Sequence, residues 1–90
     1  MSEPVSTGNL YGTVVDQQGD ALPEATVTLW VEGAPLIQVT NDLGQFRYLE
    51  LQPGSYKAEA ELEGFAPAEQ PVTINVGKNT NIEITLGIPE

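Results

Sequence analysis

The sequence has no histidine and no cysteine, and only three basic side chains, Arg47, Lys57 and Lys78. The first two absences remove the commonest general base and the most reactive nucleophile. They also remove the preferred ligands of zinc and any disulfide framework. A small cysteine-free domain fits a bacterial or archaeal module better than an animal extracellular one, which is more often stapled by disulfides. Thirteen acidic residues oppose the three cations, for a net charge of −10. That balance repels phosphate backbones and anionic membrane surfaces, so no nucleic-acid partner is expected. Long apolar runs are missing too. None approaches the roughly twenty residues of a spanning helix, so no direct membrane insertion is expected. Residues 1–7 have neither the basic region nor the apolar stretch of an export signal. A cytoplasmic protein and a piece of a longer precursor both remain open on that ground.

What is present is a succession of short alternating segments separated by turn residues, without helical periodicity or internal repeat. Ninety residues accommodate one domain, with the thin core of a small chain. The first strand is expected over 9–16, with Leu10, Gly12 and Val14 on one face. A second spans 25–32, where Ala25, Val27, Leu29 and Val31 alternate with Thr26, Thr28 and Trp30; β-branched residues and tryptophan suit a strand. Gly33-Ala34-Pro35 breaks it, and extended structure resumes over 36–41. Asp42-Leu43-Gly44 leads tightly into a strand over 45–51, where Phe46 and Tyr48 share a face. Pro53-Gly54 suits the centre of a type II turn. Residues 55–62 alternate again, with Tyr56, Ala58, Ala60 and Leu62 inward. Across 63–71 the pattern lapses, and Pro67 and Pro71 argue against a helix there. Strands over 71–76 and 80–86 are expected to form a hairpin, Val72, Ile74 and Val76 facing Ile82, Ile84 and Leu86. About seven short strands at this spacing predict an all-β, Greek-key β-sandwich over 9–87, between a flexible N-terminal segment, 1–8, and a C-terminal tail, 88–90.

The order of these elements resembles the carboxypeptidase regulatory-like domain family. The resemblance is carried by Gly12-Thr13-Val14-Val15-Asp16, Gly19, Leu22-Pro23-Glu24-Ala25-Thr26-Val27, Thr40, Gly44, Phe46, Leu51-Gln52-Pro53-Gly54-Ser55-Tyr56 and Gly64-Phe65. It implies a transthyretin-like (prealbumin-like) sandwich of seven strands. Glu24 stands where the family usually has glycine, and Asn41 where it usually has aspartate; both positions are turns. The resemblance also implies an accessory unit of a larger exported or cell-envelope protein, whose partners are other domains of the parent chain or another protein. Carriage inside such a parent favours an extracellular or envelope location over the cytoplasm.

No catalytic, cofactor-binding or metal-binding residues are expected. Glu59, Glu61 and Glu63 read as a solvated stripe rather than an acid–base pair. Asp16, Asp20, Asn41 and Asp42 lack the spacing of a calcium loop and suit turn capping instead. The candidate contact residues are Trp30, with Thr28 on the same strand face, and Tyr11, which extends that surface if the first two strands are neighbours. An exposed tryptophan would stack on a sugar ring or anchor a protein partner; a structural Trp30 would instead cover the sheet edge or pack under residues 63–71. The chain is thus expected to be a non-catalytic structural or protein-interaction module, with a carbohydrate-binding module as the alternative. High net charge favours a monomer.

Overall fold

Alternation places one side chain in two inside, and the segments that alternate are the ones that become strands. The computed structural model describes residues 6–31 and 34–89. Its strands are β1 (Gly8–Asp16), β2 (Thr26–Val31), β3 (Ala34–Val39), β4 (Gln45–Leu51), β5 (Gly54–Glu61), β6 (Ala68–Ile74) and β7 (Asn79–Leu86), and there is no helix among the described residues. Met1 to Val5, Glu32, Gly33 and Glu90 lie outside the described residues; of the break expected at Gly33-Ala34-Pro35, Ala34 and Pro35 are instead the first two residues of β3. Gly8, expected in the N-terminal segment, is buried as the first residue of β1.

Two sheets enclose the core. One has the order β4-β1-β7, with β1 and β7 parallel; the other has the order β3-β2-β5-β6 and is antiparallel throughout. Leu10 and Val14 from β1, with Ile84 and Leu86 from β7, meet Val27 and Leu29 from β2 and Val72 and Ile74 from β6. Gly12 leaves room on β1 for the ring of Phe46, which occupies the space a Cβ would need.

Four of the six connections carry the chain from one sheet to the other. This overturns the hairpin expected of the last two strands: β6 pairs with β5, and β7 pairs with β1. The apolar faces of β6 and β7 do meet, but across the sandwich rather than along a ladder, and Val76 falls in the exposed turn between them. Alternation decides which side chains go inward; it does not decide which strand lies alongside. Pro71 sits within β6, a position open to it because β6 is at a sheet edge. Pro53-Gly54 also spans a sheet crossing. With φ of 147° at Gly54 it is not the expected type II turn, which needs about +80° there.

Side-chain oxygens hold the corners. Asp16 Oδ1 accepts the N–H groups of Gln18 and Asp20 at 2.8 and 3.0 Å, and Asn41 Oδ1 accepts those of Leu43 and Gln45 at 2.9 and 3.0 Å. Gly44 adopts φ of 72° with its backbone against Val14, so a side chain there meets both strain and a clash. Glu24, the departure from the expected glycine, is held at φ of 62°. In β4 an extra residue is accommodated between the pairs Leu10–Tyr48 and Gly8–Leu51, and Glu50, at φ of 58°, donates its N–H to Asn9 Oδ1 at 2.9 Å. Leu49 points outward in step with Gln45 and Arg47; the bulge breaks the alternation after it, leaving Glu50 outward and turning Leu51 inward.

Two hydroxyls tie β3 to the rest. Buried Thr40 follows β3; its Oγ1 donates to the Leu22 carbonyl at 2.7 Å and accepts the Ala25 N–H at 2.8 Å. Tyr48, buried on β4, reaches across the sandwich and shares its proton between the Leu36 carbonyl at 2.7 Å and the Val27 carbonyl at 3.0 Å. Burial raises the Tyr48 hydroxyl from 10.0 to about 12, against a smaller lowering by the Leu29 and Gln38 backbone groups.

Thr40→Val keeps the shape but leaves the Ala25 N–H and Leu22 carbonyl without their buried partner. It is expected to cost about 2–3 kcal/mol in urea unfolding. Because the folded-state value of Tyr48 lies above the unfolded one, its contribution is intact below pH 10 and is lost as pH rises through about 12. Stability should fall by roughly 2–3 kcal/mol across that window, and Tyr48→Phe should flatten this alkaline limb while costing about 1 kcal/mol at neutral pH.

Candidate functional site

The strand faces turned away from the core carry the candidate contacts. On the four-stranded sheet, Thr26, Thr28 and Trp30 of β2 point outward, opposite Val39, Ile37 and Pro35 of β3 on one side and Glu61, Glu59 and Lys57 of β5 on the other. β6 adds Glu69 beside Glu59 and Pro71 beside Lys57. The outer face is therefore split lengthwise. Its β2–β3 half is apolar, with Trp30 48%, Ile37 60% and Val39 57% exposed. Its β5–β6 half is charged. Glu59 stands opposite Glu69, a repulsive pairing, and Lys57 Nζ approaches Glu69 at 3.7 Å in an exposed ion pair.

Trp30 and Thr28 are thus brought together on one surface, and Tyr11 is not. Tyr11 lies on β1 in the other sheet, between Arg47 of β4 and Asn81 of β7. Strands β1 and β2 follow one another in sequence, but residues 17–25 cross between the sheets, so Tyr11 cannot extend the Trp30 surface. Trp30 does not cover the sheet edge either, because β3 separates it from that edge. It does not lie under residues 63–71; its cross-strand neighbours are Pro35 and Lys57.

The residues that complete the apolar half, Ile37 and Val39, were not among the candidates. Apolar residues in a strand are by default core residues, yet every residue of β3 is exposed. Nothing in the sequence signals this exposure, because an uncharged run such as Leu36-Ile37-Gln38-Val39 reads as a buried strand. Beneath β3 a shallow open groove separates it from β4, lined by Leu36, Gln38, Arg47, Tyr48 and Leu49.

The titratable groups are spread rather than gathered. Glu59 and Glu61 lie on the outer face of β5, with Glu63 in the turn beyond. Among the described residues no three acidic side chains converge as metal ligands would. Asp16 and Asn41 have their Oδ1 atoms engaged by turn N–H groups, while Asp20 and Asp42 are exposed. This arrangement supplies contact area and open backbone groups.

Solved structures with this fold include the TIE protein of Bacillus anthracis, at TM-score 0.80 and 17% identity over 92% of this chain and 17% of that one. A minor pilin of Streptococcus agalactiae matches at TM-score 0.78 and 22% identity, over 97% of this chain and 47% of the pilin. The 5-hydroxyisourate hydrolase of Klebsiella pneumoniae matches at TM-score 0.71 and 22% identity, over 91% of this chain and 92% of the enzyme. The chain thus spans about a sixth of the first of these proteins and about half of the second. At these identities the likeness is one of fold. The search of curated proteins gave no match. The model of the carboxypeptidase regulatory-like domain matches residues 9–87, nearly the whole sandwich with all the residues that carried the resemblance. The chain belongs to the carboxypeptidase regulatory-like domain family.

Proposed function

We propose that residues 9–87 form a non-catalytic structural or protein-interaction module of a larger exported or cell-envelope protein. The observation that carries this reading is the apolar half of the outer face, where Trp30, Ile37 and Val39 stand exposed beside an open sheet edge. Exposed apolar surface of this kind marks a contact site more often than a catalytic one. The scattered carboxylates support the same reading, since general acid–base work needs a pair placed around one substrate. Membership of an accessory-domain family, and fold neighbours that include a pilin, support a parent protein outside the cytoplasm. Other domains of that parent, or a separate protein, are the proposed partners of this monomeric unit. Its deletion from the parent should alter assembly or localisation and leave kcat and KM of any catalytic domain unchanged; a changed kcat/KM would contradict the proposal.

A carbohydrate-binding module is the second reading, favoured by the half-exposed ring of Trp30 beside Pro35 and Lys57. Trp30 is the single tryptophan of the chain, so intrinsic fluorescence reports on that surface alone. Titration with a panel of polysaccharides should shift its emission, and Trp30→Ala should abolish binding measured by calorimetry. An unchanged emission across the panel would remove this reading.

A further inference from the structure

Among the described residues four strands lie at the rims of the two sheets, and β3 differs from the other three. β4 carries Arg47 and Glu50, β6 carries Glu69 and Pro71, and β7 carries Glu83. Charges and prolines are the usual means by which edge strands avoid pairing. β3 has no charged residue, and its only proline, Pro35, stands near its start.

The phase of the ladder decides which backbone groups of β3 are open. Thr40 donates its N–H to the Ala25 carbonyl at 2.9 Å. In an antiparallel pair the exchanging positions alternate, so the next ones are Val27–Gln38 and Leu29–Leu36. Pro35, Ile37 and Val39 therefore turn their backbone groups away from β2. Among the described residues no strand pairs with this edge, which offers the N–H groups of Ile37 and Val39 with the carbonyls of Pro35, Ile37 and Val39. The same three residues carry the side chains of the apolar half, beside Trp30. Hydrogen-bonding edge and apolar side chains thus coincide on one short strand.

Charge decides the occupant. A second copy pairing β3 to β3 would bring two chains of net charge −10 side by side. The outer face continuous with the apolar half adds Glu59, Glu61 and Glu69 against Lys57. A cationic strand would instead be steered toward this surface. We propose that β3 is a strand-addition site, which takes an extended, positively charged segment of a different polypeptide whose β-branched or aromatic residues alternate with polar ones. Main-chain bonds to Ile37 and Val39 supply affinity, and alternate side chains packed along Pro35, Ile37, Val39 and Trp30 supply selectivity. This rests on the interaction-module reading above and names its surface.

The test uses the whole chain and synthetic peptides matched in length to β3, in which valine and isoleucine alternate with threonine and lysine. Binding is read by calorimetry and by backbone NMR shifts, expected to be largest at Ile37, Val39 and Trp30. N-methylation of the peptide amides that face β3 should weaken binding by about tenfold or more, which is about 1.4 kcal/mol. Val39→Pro, which removes one outward N–H, should do the same, and Leu43→Ser, an exposed turn position, should leave binding unchanged. A peptide with glutamate in place of lysine should not bind. Equal binding of methylated and unmethylated peptides would overturn the strand pairing, and does so on the unaltered protein even if Val39→Pro fails to fold. Equal binding of the lysine and glutamate peptides would overturn the cationic partner. Concentration-dependent dimers that Val39→Pro abolishes would make a second copy the occupant and overturn the proposal. Absence of peptide binding would also overturn it while leaving the module reading intact; altered catalytic constants on deletion would do the reverse.

Discussion

The hydroxyl of Thr40 sits where the chain leaves one sheet for the other, and the rest of the architecture depends on that corner. Its bonds to Leu22 and Ala25 fasten the end of β3 to the loop that enters β2, and its backbone adds bonds to the same loop. With β3 held there, β4 is delivered to the opposite sheet, and Tyr48 can reach back across the core to the carbonyls of Leu36 and Val27. A rim strand whose residues are all exposed would otherwise fray. Here it is pinned from within, by one hydroxyl at its end and another near its middle.

That pinning separates the two sides of β3. Its inner bonds go to β2 and Tyr48, so order at the rim does not require anything on the outside. Its outer edge and outer face can then stay open and apolar while the remainder of the chain is kept soluble by charge. The division on the four-stranded sheet follows the same logic. Both halves end in a rim strand, but Glu59, Glu61 and Glu69 charge the side that ends in β6, whereas the side that ends in β3 carries no charge. Such a surface suits contact with another chain.

The fold was largely legible because strand alternation and the inward requirement are the same statement. Leu10 and Val14, Val27 and Leu29, and Phe46 and Tyr48 were each placed on a shared strand face from spacing alone, and all are buried. Thr40, Gly44 and Phe46, read as family markers, turn out to be a corner pin, a close approach to Val14 and the ring over Gly12. Pairing was less legible. Val72 and Ile74 alternate in step with Ile84 and Leu86 whether they face along a ladder or across a core, and nothing local separates the two. Leu51 was put out of phase with Phe46 and Tyr48 by a bulge whose mark in the sequence is weak. The candidate surface was half legible. Trp30 and Thr28 were placed together, but Tyr11 belongs to another sheet, and Ile37 and Val39 were hidden by the expectation that apolar means buried.

β3 is ordered from its inner side, by β2 and Tyr48, and open on its outer side. Residue-resolved amide hydrogen exchange of the isolated protein tests this directly. Leu36 and Gln38 should be protected through β2, while Ile37 and Val39 between and beyond them exchange at rates close to those of an unstructured chain. Protection of Ile37 and Val39 equal to that of their neighbours would show the outer edge to be covered, and would contradict the account.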